Sequence, residues 1–251
     1  MMTVSCSFSF TVSAWNIVTN KQLSKKDWQL DEQHWVDNAK DWADFVPKLA
    51  FLPPLKRRRL SDAARLFFEA AWDLLPAENA NIPVVYASNN SEINRSFGLW
   101  HTLLQEGDVS PTSFSLSVHN ALVGQWSEFR QVTTETVSIT AQRDNLEAAL
   151  LEAYLLLNDS YQKVLVVVAE SPLLESYNAK PVFRQPFAYA LALVVTKGEQ
   201  YQLSLVAKNA ENSTALLAKD NALAWVRQHY LQSEKWQTGS ANDKVWQWQK
   251  N

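Results

Sequence analysis

KVLVVVA, residues 163–169, is after its Lys163 a run of apolar and mostly β-branched residues closed by Glu170. A strand that is apolar at every position is buried on both faces, as in a parallel or mixed sheet with helices above and below it. The flanking segments agree. DNLEAALLEAYLLL (144–157) precedes the run with helical spacing, and VTTETVSIT (132–140), rich in β-branched residues, precedes that as a strand. IPVVYAS (82–88) is another short, almost wholly apolar strand. Apolar central strands joined by helices predict an α/β protein with a mixed sheet covered on both faces.

Working outward, residues 3–12 alternate: Val4, Cys6, Phe8, Phe10 and Val12 share one face, with Ser and Thr on the other, the period of a half-buried strand. Cys6 reads there as a small apolar core residue. Residues 20–56 are Trp-rich and irregular. A helix starting at Arg58 or Leu60 runs to Leu75, where Pro76 ends it. Residues 92–105 are helical, stopped by Gly107. Ser110 and Pro111 form a start signal for a helix that reaches about Trp126. Asp144 with Glu147 fits a capping box in its Asp-led form. PFAYALALVVT and YQLSLVA flank KGEQ (197–200) as a hairpin. STALLAKDNALAWVRQHYL (213–231) reads as a final long helix, followed by a tail ending in VWQWQK.

Composition excludes several function classes. The 251 residues are 47% hydrophobic with a net charge of −3, which is neither a disordered chain nor a basic nucleic-acid binder. No apolar run is long enough for a membrane span or signal peptide, so the expected compartment is the cytoplasm. One cysteine makes no internal disulfide and no thiolate-rich zinc site, and the four histidines are scattered; no metal or cofactor is expected. With five glycines there is no GxGxxG and no GxxxxGK[ST] to cradle phosphate.

SPTSFSLSVHN (110–120) is the stretch that invites a catalytic reading. On one continuous helix Ser115 and His119 would stand at i and i+4, and a small α/β hydrolase using Ser115 with His119 or His229 is one reading. Against it, a mid-helix serine sits on no strained turn, and GxSxG is absent. The structural reading assigns Ser113, Ser117, Asn120, Gly124 and Ser127 to a small-residue face beside a mostly apolar one. Lys56–Arg59 is a basic cluster that could meet an acidic carrier, or else a solvated face. Glu170 could be an acid or base, but no histidine or cysteine is its evident partner in sequence.

SPTSFSLSVHNALVGQWS, TVSITAQRDNLEAALLEA and KVLVVVAE, in that order, resemble the N-terminal half of a β-ketoacyl synthase. They are nearest to the short chain-length factors of bacterial aryl polyene pigment clusters. The resemblance is strongest from Ser110 to Glu170. It departs at SNNSE (88–92), where relatives carry Gly before the Glu. It implies a thiolase-like half fold and one ketoacyl-synthase-like N-terminal-lobe domain over 1–251.

QRDNLEA aligns with the pattern that begins at the family's catalytic cysteine, which puts Gln142 in the cysteine's place. Its neighbours Ala141 and Arg143 are not nucleophiles either. The two histidines of a second lobe are not found. The resemblance therefore implies a catalytically inactive subunit. That subunit would form a heterodimer, or a higher-order complex, with a catalytic ketoacyl synthase and shape its acyl tunnel. Phe114, Ser117, Val118, His119, Asn120, Trp126, Val137 and Ile139 become candidate tunnel and interface residues, with Phe114, Val118 and Trp126 at the tunnel floor. Arg57, Arg58 and Arg59 become candidate contacts for an acyl carrier protein.

Overall fold

A computed structural model describes residues 4–177, 185–208, 219–240 and 244–251. Its centre is a seven-stranded mixed sheet. In chain order the strands are β1 (Val4–Thr19), β2 (Val84–Ala87), β3 (Thr136–Ile139), β4 (Lys163–Glu170), β5 (Tyr189–Ala207), β6 (Lys235–Gly239) and β7 (Lys244–Lys250). They lie in the order β3-β2-β4-β5-β7-β6, with β1 paired to β5. β2 pairs in parallel with β3 and with β4, whereas β5 runs antiparallel to β4, β1 and β7. From Val164 to Glu170 every β4 residue is buried, as its unbroken apolar run predicts. Cys6 is half-buried on β1, opposite Leu205 and against the core.

Helices cover both faces. On one face α8 (Asn145–Asp159) packs with α9 (Asn221–Tyr230) and with α1 (Lys25–Gln29) and α2 (Glu32–Asn38). The tryptophans expected to be irregular serve this side: Trp28 and Trp35 are buried there against Phe187. On the other face lie α4 (Asp62–Ala71) and α7 (Ala121–Arg130), with Phe67, Phe68 and Trp126 fully buried between them. Three shorter or outlying helices complete the set: α3 (Pro54–Arg57), α5 (Ile93–Glu106) and α6 (Pro111–Ser115). None of the described helices is long and apolar enough to cross a membrane.

Five expectations need correction. The helix expected from Ser110 to Trp126 is two helices, α6 and α7, with Leu116–Asn120 between them. The Ser115 and Ser117 hydroxyls donate to the carbonyls of Thr112 and Phe114, at 2.9 and 2.7 Å. Such back-bonding competes with helix propagation, so the small-residue face does not form as a continuous stripe.

KGEQ is not a hairpin turn. Both halves of β5 run antiparallel to β1, Tyr201 opposite Phe10 and Thr196 opposite Thr11, with 197–200 as an insertion between them. Gly198 is required there, since a Cβ would stand 2.1 Å from Thr11 Oγ1.

The capping box at Asp144 is absent, for Glu147 turns inward and Asp144 accepts from Ser240 at 2.8 Å. The helix after the basic cluster starts later, at Asp62, where the Ser61 side chain caps it. The last helix begins at Asn221; Ser213–Ala218 lie outside the described residues.

Candidate functional site

In an open α/β sheet, ligand sites form beyond the C-terminal ends of the parallel strands. Here β2, β3 and β4 end together, and the residues that follow them interlock. Ile139 closes β3, and the chain then turns through 142–144 into α8. At that turn Gln142 has φ +50, the left-handed region that a non-glycine residue occupies only at a cost. Its carbonyl accepts the Asn89 side-chain N–H at 3.1 Å. Its side chain is exposed, as is that of Arg143.

The interlock centres on Glu170, 1% exposed at the end of β4. Its carboxylate accepts from the Ser88 hydroxyl at 3.1 Å, the Asn90 N–H at 3.1 Å, the Asn145 side chain at 3.2 Å and the backbone N–H of Asn89. Asn145 also accepts the Ala141 N–H at 2.7 Å, fixing the turn that presents Gln142. Burial pushes the Glu170 carboxyl up to about 7, although its N–H donors pull the other way. Glu147, fully buried on α8, accepts from Asn221 at 3.1 Å and from the Thr238 hydroxyl, and burial raises it to about 7 as well. Neither carboxylate has a cationic partner within salt-bridge distance among the described residues.

A second strained junction lies alongside. Ser91, at the β2–α5 turn, has φ +40, at the position where the resemblance puts a Gly. Its N–H donates to the Ser88 hydroxyl at 2.7 Å, and its hydroxyl to the His119 carbonyl at 3.3 Å. His119 Nε2 lies 3.1 Å from the Ser88 carbonyl oxygen and 2.8 Å from Thr140 Oγ1, tying the 116–120 loop to the ends of β2 and β3. Ser115 is not brought to His119. His229 sits on α9 against Trp15 and Trp225, where burial lowers its pKa. The serine–histidine pair is therefore not assembled.

Phe114 is 61% exposed on α6, Val118 is 41% exposed, Ser117 is half-buried and Asn120 is exposed just before α7. Val137 and Ile139 are half-buried on β3, whose outer edge pairs with no other strand among the described residues. Trp126 departs from its expected place: it is fully buried between Phe67, Phe68 and Trp72 and offers nothing to a second chain. Arg58 and Arg59 are exposed, while the Arg57 guanidinium is held by the Lys48 carbonyl at 3.0 Å. Ser88, Asn89, Thr140 and Asn145 were not singled out in sequence. Glu170 signals in sequence that donors must be near, because a carboxylate ending a wholly apolar strand must be met by them, without saying which residues supply them.

A cavity of about 310 Å³ opens beside Gln142, lined among others by Asn145, Glu170, Gln185, Tyr189 and Asp220. Its walls offer amides, carboxyls, the Tyr189 phenol and the cationic Arg143 and Lys219, and no thiol or imidazole. A model of the β-ketoacyl synthase N-terminal domain family matches residues 26–249. No curated protein matches the sequence.

Among solved structures the chain is similar to one from the complex of the ketosynthase ApeO with its chain length factor ApeC from Xenorhabdus doucetiae. That match has 21% identity and a TM-score of 0.74 over 97% of this chain and 100% of that one. It is similar also to a chain of AntDE:AntF, a type II PKS acyl-carrier protein in complex with its ketosynthase, at 12% identity and TM-score 0.63 over 96% and 99%. The ishigamide ketosynthase/chain length factor follows at 10% identity and TM-score 0.57 over 89% and 82%. At these identities the likeness carries the fold.

Proposed function

The chain belongs to the β-ketoacyl synthase family through its N-terminal domain and has the thiolase-like half fold, and from that premise we propose that it is a non-catalytic chain-length-factor subunit. In this reading it pairs with a catalytic ketoacyl synthase and shapes that enzyme's acyl tunnel during cytoplasmic aryl polyene synthesis, with an acyl carrier protein as the second partner.

The observation that carries the reading is Gln142. It occupies the strained strand–helix turn where the resemblance puts the family's cysteine, and a carboxamide supplies neither a nucleophile nor a titrating acid or base. The open edge of β3, with Val137 and Ile139, and the exposed Phe114 and Val118 support a surface for the second chain. Exposed Arg58 and Arg59 support the carrier contact. Two ketosynthase/chain length factor structures of similar fold support the pairing by analogy.

Co-expression with a cognate ketoacyl synthase tests the proposal. A stable complex on affinity purification and native mass spectrometry is the expected result. A chain that stays apart from its cognate synthase rules the proposal out.

A further inference from the structure

The cavity of about 310 Å³ beside Gln142 lies at the lower end of the size range of small-molecule sites. Most polar groups in its walls are engaged with one another. The Glu170 carboxylate receives the four donors described above, and Asn145 is held between Glu170 and the Ala141 N–H. The Tyr189 hydroxyl donates to Asp220, which also accepts the N–H groups of Ala222 at 3.0 Å and Leu223 at 3.1 Å. The Asn221 side chain donates to Glu147 and to the Gly239 carbonyl at 2.7 Å. Two acceptors are left over. Asn221 Oδ1 and Gln185 Oε1 have no hydrogen-bond partner, on side chains of residues only 2 and 6% exposed. A buried carbonyl oxygen that meets no donor is destabilising, so two in the wall of one cavity call for a ligand that donates. Asp220, beside them in the same wall, has no cationic partner within salt-bridge distance among the described residues.

Where the cavity meets solvent its character is opposite. Arg143 is exposed there and forms no ion pair among the described residues, and Lys219, also exposed, adds positive charge. Both α8 and α9 begin at the cavity, with their first residues Asn145 and Asn221 in its wall, and helix starts favour a negative group. We propose that the cavity binds a free α-amino acid as its zwitterion. The ammonium donates to Asn221 Oδ1, Gln185 Oε1 and the Asp220 carboxylate, three acceptors for its three N–H bonds, and the ligand's carboxylate pairs with Arg143. A simple carboxylate would leave the two amide oxygens unmet. A simple amine would bring a second positive charge toward Arg143 and Lys219 with no anion of its own to balance them. The inference goes beyond the subunit reading and does not rest on it.

Thermal unfolding of the purified full chain with each proteinogenic L-amino acid at millimolar concentration tests the proposal, followed by calorimetric titration of those that stabilise it. At least one should raise the melting temperature and bind saturably. Its N-acetyl derivative lacks the ammonium and its amide lacks the carboxylate, so each should bind about tenfold more weakly. Arg143→Gln changes an exposed position and should weaken the amino acid by about tenfold while leaving its amide unaffected. Gln185→Met keeps the length of the side chain without the acceptor and should weaken both. The proposal is overturned if no amino acid stabilises the folded chain, if the N-acetyl derivative or the amide binds as tightly as the amino acid, or if either folded variant binds like the wild type. Co-purification with the synthase is a separate readout: a complex without amino-acid binding removes only this site, and binding without a complex removes only the subunit reading.

Discussion

Glu170 Oε1 and Asn145 Nδ2 meet at 3.2 Å, joining the last residue of β4 to the first residue of α8. Through Asn145 the contact reaches Ala141 and sets the turn that carries Gln142. Through its other donors the same carboxylate anchors 88–90. Glu170→Gln keeps the shape but turns an NH2 toward groups that themselves donate. A buried donor left unmatched costs about 1–3 kcal/mol. The variant should lose roughly that much in urea unfolding at pH 5, where the wild-type group contributes its full stability, and less at pH 8. A variant as stable as the wild type would show that Glu170 is not the anchor.

The two buried carboxyls also set a pH dependence. Glu147 and Glu170 each have a folded pKa of about 7, above the ordinary 4.5, because burial disfavours the charged form. A raised folded pKa means that the folded state holds the proton more tightly than the unfolded chain does. The stability these groups contribute is complete below about pH 4.5 and is lost as pH rises through about 7. At 1.36 kcal/mol per unit, each is worth on the order of 3 kcal/mol. Urea midpoints should fall between pH 5 and pH 8, and Glu147→Gln should reduce the fall to about half. A wild-type midpoint that is level across this range contradicts the assignment.

At Gln142 the backbone is the test. A residue at φ +50 pays a strain that glycine avoids, while glycine loses more chain entropy on folding. These oppose each other, so Gln142→Gly should stay within about 1 kcal/mol of the wild type. Gln142→Val brings a β-branched side chain to the same conformation and should cost roughly 1–3 kcal/mol. Equal stabilities for the two variants would mean that the turn relaxes in solution.

The centre of the fold was legible because one force dominates there. KVLVVVA, IPVVYAS and the helical spacing of 144–157 report burial, and burial is what β4, β2 and α8 do. The misreadings lie where local and long-range bonding compete. Ser115 and Ser117 bond their own carbonyls and break a helix that periodicity extends through them. KGEQ has turn composition, yet β1 is long enough to pair with the chain on both sides of it. At the site, Gln142 was reached through a resemblance. The Glu170 network could not be, since its donors come from residues about 80 and 25 positions away in sequence, a separation that no short-range pattern records.

Phe114 and Trp126 divide the two jobs that sequence had assigned to one surface. Phe114 is 61% exposed, so Phe114→Ala should leave stability within about 0.5 kcal/mol of the wild type. If its ring faces the shared tunnel, removing it adds room, and the products of the reconstituted complex should lengthen, as read by mass spectrometry. Trp126 is fully buried against Phe67 and Phe68, with the Arg130 guanidinium 5.3 Å above its ring. Trp126→Ala should therefore cost about 3–5 kcal/mol and act through folding, with the yield of complex falling and the length of any product made unchanged. Longer products from Trp126→Ala, or unchanged products from a Phe114→Ala complex of normal yield, would move the tunnel floor away from the 111–118 segment.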